Sequence, residues 1–416
     1  MTGAALWVWV ACAGPASDDS AGTDTIAPED TDIEVVDDTG ADTDTDTAAD
    51  TDTEEPDTGP DDDAAYAALY DPLEIQRIDL EISEDNLAAL REDAGTYVEA
   101  AFVHDGYRLP SVGVKLKGGA STFEDIDGKP SFRLKLDEFD SGLDYGGVDR
   151  INLHNMKADP AQAREVVAAG LWNAAGLAAP LANYAEVYVN GVLYGLYANV
   201  EEVDDAFVER RWTNPDGDLW EAADGADLTP AGVANYELGS GEGDEDALDA
   251  ARREIQTGEG DFYTVANSVL DMTQFLDFWA WQVLLANEDG YPYELDDHFL
   301  YANPDDDGAF VFVPWGLDET FDSGFEWDDY TGTVAVHCGY DADCTSRFEA
   351  RVSLALTAYE AMTPSVAAQS AFTLSTDAVQ ADTRRGATVA EVTTARTALI
   401  TAINARPNAV RTQLGL

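Results

Sequence analysis

Positive charge is scarce in this sequence of 416 residues. Only 22 Lys and Arg stand against 83 Asp and Glu, a formal net charge of −61. So acidic a field repels phosphate backbones and anionic lipid surfaces, which excludes general nucleic-acid binding, while it attracts divalent cations. Long apolar runs are lacking as well. The one at residues 3–11 is too short to span a bilayer. There is no Walker A pattern, which excludes a P-loop NTPase, and no EF-hand spacing among the many aspartates. Apolar residues nevertheless make up 45% and aromatics 10%, enough for a packed core. The length allows about two or three domains at ~150 residues each.

The acids are unevenly spread. Residues 1–63 hold 20 of them and no base. Residues 1–17 resemble a secretory signal, with a short apolar stretch and Ala11 before Cys12, as in a lipoprotein whose cysteine takes a lipid anchor. The fit is partial, because no basic residue precedes the apolar stretch. Residues 18–63 are Asp/Thr-rich and low in complexity. They cannot bury enough apolar surface to offset chain entropy, and they read as an extended acidic tether. Residues 64–416 then form one globular domain. Of the other two cysteines, Cys338 and Cys344 could close a small disulfide in an exported protein. A metal site with His337 is the alternative.

Within the globular part the few lysines cluster. Lys115, Lys117, Lys129, Lys135 and Lys157 all lie within 43 residues, with Arg133, Arg150 and Arg164 in or beside that window. Residues 83–93 predict a helix capped by Ser83. Residues 97–103 and 112–117 alternate as strands around a turn at 104–106, and 131–136 alternates again, placing Arg133 and Lys135 on one face. Residues 160–176 predict a helix with Asp159 as cap and Pro160 in its first turn. An Asn190-Gly191 turn between apolar runs predicts a hairpin over 185–200. Residues 271–286 predict a buried helix, 298–301 and 310–313 two short strands, and the last seventy residues helices. Strands first and helices last is an α+β order.

Two constellations could carry chemistry. The Gly118-Gly119-Ala120-Ser121-Thr122 loop between lysine-bearing strands would let backbone N–H groups and ammonium charges approach a phosphate. Asp289 follows the buried helix, Asp296 and Asp297 precede a strand, and Asp318 follows another. Carboxylates gathered at element ends suit a hard cation such as Mg²⁺ or Ca²⁺. Each alone could equally be a cap or a turn residue.

Several ordered motifs resemble the CotH (spore coat protein H) kinase-like family. They are residues 112–118 and 129–135, then Asp159, Arg164 and Glu165, then Val187-Tyr188-Val189-Asn190-Gly191, Tyr194-Gly195-Leu196-Tyr197 and Glu201 or Glu202. Asn287-Glu288-Asp289-Gly290, Leu300-Tyr301 and Pro314-Trp315-Gly316-Leu317-Asp318 complete the set. The resemblance implies an atypical protein-kinase-like α+β fold, with an N-terminal mostly β lobe and a C-terminal mostly helical lobe. It implies ATP with Mg²⁺ (or Mn²⁺ or Ca²⁺), and phosphoryl transfer to Ser or Thr of an unidentified envelope or extracellular protein. Nucleotide would be held by Lys115, Lys117, Ser121, Lys129 and Arg133. Glu165 or Glu202 would hold the phosphate lysine by an ion pair, Asp289 would act as catalytic base, and Asp318 and Asp297 would ligate metal. Two departures stand out: Gly316 takes the place of an expected Asp, and Asp297 that of an expected Asn. The first favours an alternative, a non-catalytic surface-anchored binding or adhesion module with the same fold. The expected protein is an exported monomer of the cell envelope or exterior. It would touch membrane only through an anchor at Cys12, and it would bind no nucleic acid.

Overall fold

The computed structural model describes residues 62–119, 121–322 and 324–416. The expected signal, Cys12 and nearly all of the tether lie outside the described residues. Asp62 and Asp63, expected in the tether, instead open the first helix, α1 (Asp62–Leu69).

Seven strands close into a barrel: β1 (Ile75–Ile82), β2 (Val98–His104), β3 (Tyr107–Lys117), β4 (Ser131–Lys135), β5 (Arg150–His154), β6 (Ala182–Val189) and β7 (Val192–Glu201). Their order is β1-β2-β3-β4-β5-β7-β6, and β6 returns to β1 in the one parallel pairing. Alternate residues fill the interior. Ile78, Leu80, Phe102, Val112, Val114, Phe132, Leu134, Ile151, Leu153 and Val187 are all fully buried there. The period of two therefore turns Lys115, Lys117, Arg133, Asn152 and His154 to the outer face of β3, β4 and β5. The Asn190-Gly191 turn has positive φ at both residues, as a tight hairpin needs. The Asn190 side chain also accepts from Ile82 N and donates to Ile82 O, both at 2.8 Å, stitching the hairpin to the end of β1.

Helix α2 (Glu84–Glu92) has the expected Ser83 cap. Helix α3 (Arg164–Ala174) begins four residues later than its sequence suggests. Gln162, at φ 50°, interrupts the backbone after Pro160. Asp159 still acts as a cap, accepting from the N–H groups of Ala161, Ala163 and Arg164.

Beyond the short helix α4 (Asp205–Glu209), a second antiparallel sheet forms from β8 (Leu219–Ala222), β9 (Tyr236–Ser240), β10 (His298–Asn303) and β11 (Ala309–Pro314). Between its strands run α5 (Asp246–Thr257), α6 (Phe262–Ala266) and α7 (Met272–Leu285). Asp271 caps α7, which is apolar nearly all round and sits at the centre of the larger core. The chain ends in α8 (Thr333–Tyr340), α9 (Ala342–Met362), α10 (Pro364–Leu374), α11 (Thr376–Ala381) and α12 (Val389–Leu414). Trp279 of α7 stacks on Phe348 of α9 with ring centroids 3.9 Å apart. Cys338 and Cys344 are buried and joined by a disulfide that ties α8 to α9, which decides between the two readings of that pair. Among the described residues no helix is long and apolar enough to cross a membrane.

Candidate active site

Strand β3 ends at Lys117 and turns sharply at Gly118. With φ at 137°, a Cβ there would lie 2.9 Å from the Cα of Phe123, so only glycine fits. The loop folds back on itself: Gly119 O accepts from Phe123 N at 2.8 Å, and Gly119 N donates to Thr122 Oγ1 at 3.0 Å. It is pinned from outside as well. Asn155 Nδ2 donates to Thr122 O at 3.1 Å and to Lys129 O at 2.9 Å, while Lys157 Nζ donates to Phe123 O at 3.1 Å. Ser121 stands exposed on this loop.

Lys117 points across the outer face of the barrel. Its Nζ lies 3.2 Å from Asn152 Oδ1 and 3.1 Å from His154 Nε2. His154 Nδ1 is 2.9 and 3.0 Å from the two carboxylate oxygens of Glu165, a buried residue of α3. Glu202 accepts from Asn152 Nδ2 and pairs with Arg133. The ammonium also lies 5.4 Å from the centroid of the Trp315 ring, which packs edge-on against His154. Burial pulls the Lys117 ammonium below its ordinary value, opposed by Glu202, Glu165 and Asp297.

The other wall carries the acids. Asp289 follows the end of α7, Asp297 precedes β10, and Asp318 lies in a one-turn helix at Leu317–Glu319 just after β11. Trp315 N donates to Asp297 O at 3.0 Å, which joins the last two segments. The Asp289 and Asp297 carboxyl groups are neighbours, and each shifts the other. Burial raises both, and the Asp289, Asp296 and Asp318 carboxylates hold Asp297 well above the usual range. Asp318 is pushed up to about 7, by burial first and then by Glu165. Glu221 of β8 faces the same space and is raised by burial and by Glu202.

Gly316 has φ 54°, and a Cβ built on it would lie 1.7 Å from Asp297 Oδ2. The Asp297 carboxylate therefore fills the place where a side chain at 316 would begin. The two departures noted in the sequence are one spatial arrangement.

Of the expected nucleotide-side residues, Lys117, Arg133, Glu165 and Glu202 come together here, facing Asp289, Asp297 and Asp318. Lys115 lies two residues along the same strand, its ammonium 4.7 Å from the Tyr97 ring centroid. Lys129 does not join them. It is 3% exposed, and its Nζ lies 2.7 Å from the fully buried Asp382. The expected direct ion pair between Lys117 and a glutamate is also absent, since Asn152 and His154 stand between. Sequence reasoning missed both of these residues. The signal was the alternation Arg-Ile-Asn-Leu-His over 150–154, the same pattern that marked 131–136.

Among the described residues, no three carboxylate, imidazole or thiol groups converge closely enough to cage a metal ion by themselves. Mg²⁺ in a nucleotide site uses one or two carboxylates plus phosphate oxygens. Asp297 and Asp318 fit that donor set.

Fold and site together define an α+β protein whose barrel face presents a caged lysine to a group of aspartates. Residues 114–356, more than half of the chain, match the family described as CotH kinase protein, and the chain belongs to that family. It is 25% identical to invasin CotH2 of Rhizopus delemar over 54% of this chain and 40% of the relative. It is 26% identical to inner spore coat protein H of Bacillus subtilis over 42% and 51%, respectively. The chain thus spans about half, or less, of the length of these curated relatives. Among solved structures it is similar to a chain of the Shewanella oneidensis HipA, HipB and operator DNA complex. That match covers 80% of each chain at 12% identity and a TM-score of 0.32, too slight a likeness to bear on the fold.

Proposed function

We propose that this chain is an exported protein kinase, which transfers the γ-phosphoryl group of ATP to a Ser or Thr hydroxyl of an envelope or extracellular protein. The barrel and the helical region act as its two lobes. The support is that Lys117, with Glu165 behind it, feels the Asp297 carboxylate, which in turn feels those of Asp289 and Asp318. Lys117 and Arg133 bind and orient the phosphates as fixed positive charges. Asp289 accepts the proton of the acceptor hydroxyl. That oxygen forms a bond to the γ-phosphorus while the bond from phosphorus to the bridging β–γ oxygen breaks, and ADP leaves. A carboxylate raised by burial is the better base near neutral pH. Asp297 and Asp318 would hold Mg²⁺ or Mn²⁺, which when bound neutralises charge on the transferring phosphoryl group.

Gly316 first favoured a non-catalytic binding module. The position of Asp297 weighs against that alternative, because it offers a carboxylate where residue 316 has none. The test is ATP consumption by the full chain with Mg²⁺ or Mn²⁺ and a Ser/Thr-rich acceptor protein. Asp289→Ala is expected to lower the rate by about 10²–10⁴-fold. Equal rates in the native chain and the variant overturn the kinase reading and favour the binding module.

A further inference from the structure

The lysine that faces the aspartates touches no carboxylate on the barrel side. Its ammonium is held by two neutral groups, each backed by a buried acid: Asn152 in front of Glu202, and His154 in front of Glu165. With Lys117 as an ammonium, one proton arrangement satisfies the second chain. A lysine ammonium has donors and no acceptor, so His154 Nε2 must accept from Lys117. A carboxylate only accepts, so the ring proton sits on Nδ1 and points at Glu165. Opposite a charged lysine the imidazole is then the neutral spacer, with its tautomer fixed from both ends. Its orientation is fixed too. His154 is paired in the barrel opposite Ala198, and its ring stands at 90° to that of Trp315, with centroids 6.0 Å apart.

A direct ion pair would neutralise the ammonium and hold it. A neutral spacer passes on the orientation set by Glu165 while leaving the positive charge unquenched. Resting on the kinase reading above, we infer that His154 is a positioning residue: it aims Lys117 at the nucleotide phosphates and keeps that charge available to them.

The chain has only five lysines, so the test can watch Lys117 directly. Full-length protein carrying [13Cε]lysine gives five signals, and Lys117→Arg identifies one of them. His154→Leu is expected to move the Lys117 signal in the absence of nucleotide and to weaken Mg–ATP binding, measured by calorimetry, about tenfold. His154→Gln, which retains an acceptor and a donor, is expected to recover affinity to within about threefold. On a Lys117→Met background, His154→Leu should cause no further loss. Glu165→Gln keeps the shape and removes the charge behind the ring. It should move the Lys117 signal without touching that residue, and it serves if the leucine variant does not fold. With Mg–ATP binding intact in the native chain, an unmoved Lys117 signal or an additive loss in the double variant overturns this inference alone. A native chain that binds no Mg–ATP overturns the kinase reading itself.

Discussion

Lys117 and Lys129 lie twelve residues apart in one strand–loop–strand, and both are pulled below the ordinary lysine value by burial. Their surroundings are opposites. Lys129 meets Asp382 directly. That carboxylate also accepts from the backbone N–H groups of Leu196, Arg384 and Arg385, so charge is matched by charge and the buried acid is well satisfied. Lys117 meets only an amide and an imidazole, with its nearest acids one residue further away. A satisfied buried ion braces a fold, whereas a partly buried ion whose counter-charges stand off is ready for one more partner. A lowered basicity alone would not have told the two apart.

The comparison can be broken most directly at its structural end. Lys129→Met leaves Asp382 buried without its counter-ion, and is expected to cost about 3 kcal/mol in urea denaturation, the low end for a broken buried pair, because three N–H groups still serve the carboxylate. Lys117→Met is the counterpart: it should change stability by less than about 1 kcal/mol, since no buried carboxylate loses its direct partner, while Mg–ATP binding weakens, by more than His154→Leu weakens it, but stays measurable. If the second variant unfolds and the first does not, the roles have been assigned the wrong way round.

A smaller effect is expected at Gly316. Gly316→Ala introduces a Cβ into the space of the Asp297 carboxylate at a backbone angle that disfavours alanine. It should cost about 1–2 kcal/mol by thermal melting. It should also raise the Mg²⁺ concentration needed for half-maximal activity, as Asp297 is driven off its seat.

A further effect concerns pH. Asp204 caps α4 and is pushed up to about 7, first by burial and then by Glu202. Its folded form therefore keeps a proton that the unfolded chain releases near 3.8. The resulting stabilisation is complete below that pH, declines as pH rises, and is gone above about 7. Asp204→Asn, which can still cap, should flatten this slope in urea titrations taken from pH 4 to pH 8. An unchanged slope would place the effect on another group.

Local signals were legible and distant ones were not. The Asn190-Gly191 hairpin, the Asp271-capped α7 and the strands 131–135 and 298–303 each announce themselves within about fifteen residues, and each formed close to its expected bounds. The barrel did not announce itself. It closes where Ile75–Leu80 lies parallel to Tyr184–Val189, a pairing that no local pattern specifies. Among site residues, Asp289, Asp297 and Asp318 stood out because each sits at the end of a strongly apolar element. Arg133 was readable as an outward residue of an alternating strand. His154 was missed although its strand, Arg150–His154, alternates over five residues just as β4 does. The ion pair that occupies Lys129 was not readable, because its partner lies 253 residues away.

That separation also bears on how the chain is made. The Lys129–Asp382 bridge joins the loop before β4 to the segment after α11, so it can form only when nearly the whole chain has left the ribosome. Until then Lys129 has no counter-ion, and an unpaired ammonium keeps its water. The barrel strands beside it can pair early, but the region around Lys129 stays wet, and its packing waits for Asp382. A chain that stops short of residue 382 would carry all the aspartates of the cleft and still lack the bond that fastens its two ends together.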